Sequence, residues 1–102
     1  MALEADIQRT ILDYLSYKGI FHWRQNSGAM VVPGPQRRFM KFGVIGAPDI
    51  FVVKNGSIYG LEVKAPKGKQ NENQLAFQEG FEKAGGIYKV VRSLEDVQGI
   101  GL

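Results

Sequence analysis

The sequence predicts an α/β fold: a small mixed β-sheet flanked by helices, in the order α-β-β-β-α-β. Three observations predict it. The chain opens on a helical pattern, with Ile7, Ile11, Leu12 and Leu15 recurring at helical spacing. Asn55-Gly56 then separates two β-rich runs, the strongest short-range hairpin signal, because a type I′ turn needs φ > 0 at both central residues. A second helical stretch carrying Phe77 and Phe81 precedes one more β-rich run, so helices and strands mix within one short chain.

Each element has its own reason. Residues 3–18 read as a helix that Gly19 stops, with Glu4 and Asp6 in the first turn suiting the helix dipole. Residues 20–25 read as a strand, with Phe21 and Trp23 on one face, His22 and Arg24 on the other, and Trp23 in the core. Pro33-Gly34-Pro35 marks the tip of a loose hairpin over 28–42, whose second arm runs from Arg37 to Phe42. Strands 49–53 and 58–64 flank Asn55-Gly56, and Ala65 to Gln70 form a basic loop. A helix near 71–84 presents Phe77, Phe81 and Ala84 on one face and ends at Gly85-Gly86. Residues 87–92 form the last strand, and Ser93 caps a short terminal helix with Asp96 three residues on.

A length of 102 residues fits a single domain over 1–102 with little margin, since chains of this size bury roughly 60–70% of their unfolded surface. The absence of cysteine excludes disulfides and thiolate metal sites. The N-terminus lacks the basic region and apolar run of a signal peptide, and no apolar stretch approaches the roughly 20 residues of a membrane span. A cytoplasmic protein with no membrane association is therefore expected. A net charge of +3 is compatible with a polyanionic partner.

The chemistry concentrates in Gly46-Ala47-Pro48-Asp49 and Glu62-Val63-Lys64. With Asn55-Gly56 as a two-residue loop, Val53 faces Ile58, Phe51 faces Gly60 and Asp49 faces Glu62. Directly opposed like charges destabilise a strand pair, so a cation is expected between the two carboxylates. Gly60 keeps a bulky side chain away from them, and Lys64 projects from the face of Glu62. At about 100° per residue, Glu4 lies within about 60° of Ile7, Ile11 and Leu15 and so points along the buried stripe. Asp49 and Glu62 are the expected principal ligands of Mg²⁺, with Glu4 a further or water-mediated ligand and the Val63 carbonyl an extra one. Mg²⁺ takes hard oxygen ligands and keeps several waters, so few carboxylates suffice. Such a metal acidifies a water and polarises a phosphate, while Lys64 would orient the attacking water.

At these residues the chain resembles the PD-(D/E)XK nuclease superfamily, whose signature Pro48-Asp49 and Glu62-Val63-Lys64 match. Within it the chain is similar to the stand-alone VRR-NUC (virus-type replication-repair nuclease) group. The supporting residues are Glu4, Arg24-Gln25-Asn26-Ser27-Gly28, Gly43 to Asp49, Gln74 and Val90-Val91-Arg92-Ser93. The resemblance implies a restriction-endonuclease-like core, dependence on Mg²⁺ or Mn²⁺, and structure-selective cutting of branched DNA by a homodimeric Holliday-junction resolvase of phage or bacterial origin. Gln74 fits two roles. With Asn71 it makes a capping-box pattern. It also lies on the Phe77–Phe81 face, as the family's glutamine would, where it would hold a water or Lys64.

Arg37, Arg38 and Lys41 flank the Pro-Gly-Pro turn, and Lys67 and Lys69 lie just after Lys64; these are expected to dock the phosphate backbone. Arg24, Asn26 and Ser27 sit at a strand end and are expected to contact backbone oxygens. His22 reads as structural or exposed, since one histidine cannot supply a typical catalytic zinc site. Met30, Val31, Val32, Phe39, Ile100 and Leu102 are the exposed apolar candidates for a dimer seam. The competing readings are a flap or nicking nuclease without junction preference, and a non-catalytic nucleic-acid-binding module.

Overall fold

The computed structural model describes residues 3–25, 28–35 and 38–102, and of 28–32 and 38–42 the backbone only. Helix α1 (Glu4–Tyr17) carries Glu4 and Asp6 in its first turn and buries Ile7, Ile11 and Leu15. Gly19 at φ +69° ends the helix in the left-handed region. Strand β1 (Phe21–Arg24) comes next, then a hairpin of β2 (Gly28–Val32) and β3 (Arg38–Phe42), then β4 (Ile50–Lys54) and β5 (Ser57–Val63). Asn55 and Gly56 adopt φ +52° and +78°, as a type I′ turn demands. Val53 accordingly pairs with Ile58 and Phe51 with Gly60.

Helix α2 (Glu72–Lys83) crosses from β5 to β6 (Ile87–Val91), which pairs parallel to β5. Helix α2 closes in a Schellman arrangement: Gly86 N–H donates to the Phe81 carbonyl at 2.8 Å and Gly85 N–H to that of Glu82 at 3.0 Å. A Cβ at position 86 would strike the Phe81 ring. Helix α3 (Leu94–Gly99) starts at Ser93, whose Oγ accepts from Asp96 N–H at 3.2 Å.

The sheet order is β1-β4-β5-β6, mixed because only β5 and β6 are parallel, and β2-β3 form a separate two-stranded sheet. The fold is the expected α/β arrangement. One sheet face buries Ile50, Val52, Leu61 and Val63 against Ile7, Ile11 and Leu15 of α1 and Val97 of α3. Each such side chain contributes about 1.5–3 kcal/mol on burial. The other face is thinner: Phe77 and Phe81 of α2 lie on Phe51, with ring centroids 6.3 and 5.8 Å away, and no residue of α2 is fully buried.

Three expectations are corrected here. Trp23 is 40% exposed: it stacks on Phe51 at 5.3 Å, but β1 is an edge strand that α2 does not cover. Ala84 is exposed at the helix C-cap. Leu102, 5% exposed, belongs to the core and Ile100 packs against it, because Tyr14 Oη donates to the Leu102 carbonyl at 2.8 Å and draws the chain end inward. Neither residue offers a dimer seam. Among the described residues no helix is long and apolar enough to cross a membrane.

Candidate functional site

Asp49 is positioned by the segment before it. Gly46 takes φ +82° where the chain passes the first turn of α2, and a Cβ there would run into the Asn73 carbonyl. Pro48 is fully buried over Gly60; a Cβ at position 60 would stand 2.7 Å from Pro48 Cγ and 3.3 Å from the Phe81 ring. The absence of a side chain at Gly60 thus makes room for Pro48 and Phe81, not for the carboxylates as expected. Its effect on Asp49 is indirect, through the seat of Pro48.

From that position Asp49 Oδ2 accepts from Val63 N–H at 2.8 Å, just beyond the Ile50–Leu61 pair that ends the β4–β5 ladder. Glu62 is 2% exposed. Its Oε1 is buried with no hydrogen-bond partner, and its Oε2 lies 4.0 Å from Lys64 Nζ. Burial, then a hydrogen bond with Asp49, then the charge of Asp49 push the Glu62 carboxyl up to about 9; Lys64 pulls the other way and Glu4 adds to the rise. In the ligand-free protein Glu62 therefore keeps its proton at neutral pH, because a second anion beside Asp49 in a water-poor site is too costly. An orphaned buried carboxylate oxygen next to a second carboxylate is a donor set that a hard divalent cation fits.

Glu4 departs from expectation. It is exposed, and its Oε2 accepts from Ala65 N–H at 3.4 Å, just past the end of β5, while Ile7 carries the first turn's contact with the core. Among the described residues no group of three His, Asp or Glu side chains stands in metal-holding geometry. The structure brings Asp49 and Glu62 together and leaves Glu4 at the rim. Val63 is fully buried, and its N–H is the group that Asp49 engages.

Arg92 fixes the loop after Lys64. Its Nη1 donates to the carbonyls of Ala65 at 2.7 Å, Gly68 at 2.8 Å and Pro66 at 3.4 Å. Gly68 N–H closes a turn on the Ala65 carbonyl at 2.9 Å, and a Cβ on Gly68 would stand 3.4 Å from Lys64 Cδ. The turn therefore rests against the aliphatic stem of Lys64, and one guanidinium holds the turn. Lys67 and Lys69 are exposed on this loop. The role of Arg92 was missed in the sequence, where the available signal was a cation just beyond a strand's carboxyl end, the usual place for sites in α/β sheets.

Gln74 takes the capping role. Asn71 Oδ1 accepts from Gln74 N–H at 2.9 Å, and Gln74 Oε1 accepts from Asn71 N–H at 3.0 Å, so its side-chain oxygen is engaged away from the carboxylates. A different glutamine borders the site: Gln70 Nε2 donates to Gln78 Oε1 at 2.9 Å and to Tyr88 Oη at 3.2 Å. Tyr88 is buried, which pushes its hydroxyl up to about 12; the Gln70 bond opposes the rise, and the charges of Glu62 and Asp49 add to it. His22 is structural: Nδ1 pairs with the Ile20 carbonyl at 2.7 Å and Nε2 with Ser16 Oγ at 3.4 Å.

Of the expected nucleic-acid contacts, Arg24 ends β1 beside the site, since Arg24 pairs with Ile50 and Gln25 N–H donates to the Asp49 carbonyl at 2.7 Å. The backbone of Arg38 and Lys41 lies on β3, opposite Val32 and Ala29. Asn26, Ser27 and Arg37 lie outside the described residues. No protein-family model matches the chain, and no curated protein matches it.

Proposed function

We propose that this chain is a metal-dependent DNA endonuclease of the VRR-NUC type, cutting branched DNA as a homodimer in the cytoplasm of a bacterial or phage-infected cell. One observation carries the reading: a fully buried carboxylate, Glu62, has an unpartnered oxygen, lies beside Asp49, and faces Lys64 across 4.0 Å. A strand pair that only had to be stable would not bury this acid. Replacing a buried ionisable group by an apolar one of similar size is often neutral or stabilising.

Asp49 and Glu62 would hold Mg²⁺ or Mn²⁺, with the Val63 carbonyl and Glu4 as further oxygen donors. When bound, such an ion supplies positive charge that acidifies a water and offsets charge on a phosphodiester. The protein's own residues do the rest. Glu62 gives up its proton on ligation, since ligands must be deprotonated. Lys64, its stem held by the loop that Arg92 braces, presents a cation to the water and the phosphate. Lys67 and Lys69 on that loop, with Arg38 and Lys41 on the hairpin, would dock the backbone. Paired cuts across a junction need two sites, which a twofold dimer supplies.

The test is cleavage of a labelled four-way junction beside matched flap and duplex DNAs, with Mg²⁺, Mn²⁺ or EDTA. Paired metal-dependent cuts are expected at the junction. Cleavage of flap or nicked DNA alone would leave the nuclease and remove the resolvase. Binding without cutting under every metal would make the chain a nucleic-acid-binding module.

A further inference from the structure

A cleft of about 240 Å³ opens between α1 and the end of β1, lined by Ala5, Gln8, Arg9, Leu12 and Arg24. Arg9 and Arg24 both line it, and among the described residues no acidic one does. Asp6 and Asp13 stand three residues before and four after Arg9 on the same helix, a spacing that favours ion pairs. Yet among the described residues the ion pairs are Lys64–Glu62 and Lys83–Glu79 only. Arg9 thus lines the cleft without pairing to either aspartate, and Arg24 lines it from the opposite wall. Like charges so placed repel, and the arrangement becomes favourable when an anion with several oxygens sits between them. Planar guanidinium forks match phosphate oxygens better than an ammonium does.

The cleft's position says which phosphate. Arg24 pairs with Ile50, and the next residue's N–H donates to the Asp49 carbonyl at 2.7 Å. Arg9 lies five residues after Glu4, about 7.5 Å along a helix that rises 1.5 Å per residue. Glu4 in turn touches Ala65, the residue after Lys64. The cleft and the carboxylate pair therefore flank the same end of the sheet. The volume is below that of a typical small-molecule pocket and suits a compact anion.

We infer that Arg9 and Arg24 clamp one backbone phosphate of the polynucleotide near the one positioned at Asp49 and Glu62. This rests on the nuclease reading for its substrate, but binding tests it separately from cleavage. Anisotropy of a labelled four-way junction is measured across a salt series, using Asp49→Asn protein so that no cutting intervenes. Adding Arg9→Ala and Arg24→Ala should weaken binding roughly tenfold or more and reduce the salt slope by about 1, the loss of one phosphate contact. Lys18→Ala with Lys83→Ala removes the same charge elsewhere and should leave the slope unchanged. Arg9→Lys with Arg24→Lys keeps the charge and should keep the slope while losing affinity, which also covers a fold failure of the alanine pair.

Equal losses in the Arg and Lys alanine pairs would overturn the clamp and leave the nuclease reading intact. An Arg-dependent thermal shift with inorganic phosphate or a nucleoside monophosphate, with DNA binding unaltered by the Arg substitutions, would assign the cleft to a free phosphate and overturn the backbone clamp. Absence of DNA binding by the Asp49→Asn parent would remove both.

Discussion

Glu62→Gln should separate folding stability from pH. In the ligand-free protein the Glu62 carboxyl is raised from 4.5 to about 9, chiefly by burial and then by Asp49. A group raised on folding contributes stability that is fully present below its unfolded value and is lost as pH rises through the folded value. Within that window each pH unit costs about 1.4 kcal/mol. Between about pH 5 and about pH 8 the group therefore removes roughly 2–4 kcal/mol, the lower figure allowing for relaxation around a buried charge. That is a large share of the 5–15 kcal/mol typical of a domain. Glutamine keeps the shape of the protonated acid and does not titrate. Any cost of its buried amide is the same at both pH values and cancels in the comparison.

Urea unfolding in EDTA, monitored through the single tryptophan, Trp23, reads the effect. Wild-type protein should lose stability from about pH 5 to about pH 8, and Glu62→Gln should lose less by roughly 2–4 kcal/mol. Mg²⁺ or Mn²⁺ at about a hundred times its Kd should restore about 2.7 kcal/mol to wild type and little to the variant. Parallel pH profiles for the two proteins would refute the protonated, anion-crowded Glu62. Equal stabilisation of both by the cation would remove Glu62 from the ligand set.

Three further outcomes are expected. Asp49→Asn or Lys64→Ala should abolish cleavage while leaving junction binding largely intact, because an Asn oxygen can still accept from Val63 N–H; full activity in either would sink the assigned site. Arg92→Ala should destabilise by about 1.5–3 kcal/mol, the range for hydrogen bonds to a charged group. It should also free the loop over Lys64, lowering kcat more than it raises KM; a pure stability loss at unchanged kcat would make Arg92 merely structural. Gln74→Glu preserves the capping box with Asn71, so stability and cleavage should both survive; loss of cleavage with stability retained would return Gln74 to the site.

The sequence alone determined whatever depends on neighbours along the chain. Helix α1, the Asn55-Gly56 turn, the register that opposes β4 to β5, the cap at Ser93 and the Gly85-Gly86 stop all arise from local dihedral preferences and from periods of 3.6 and 2. The nearness of Asp49 to Glu62 follows too, since a two-residue turn sets the register of its hairpin, although the ladder itself ends at Ile50–Leu61. Only the tertiary structure decided how the resulting faces are covered. Helix α2 lies over Phe51 and Gly60 and stops short of β1, which leaves Trp23 stacked but exposed and turns Gly60 into a seat for Pro48. Helix α1 settles so that Glu4 meets Ala65 just past the end of β5, and Tyr14 draws Leu102 inward. Arg92 reaches the Lys64 loop because the end of β6 lies beside that of β5, and Arg9 lines one cleft with Arg24 because α1 packs beside β1. Those contacts join residues far apart in the chain, where no local period or turn preference reaches.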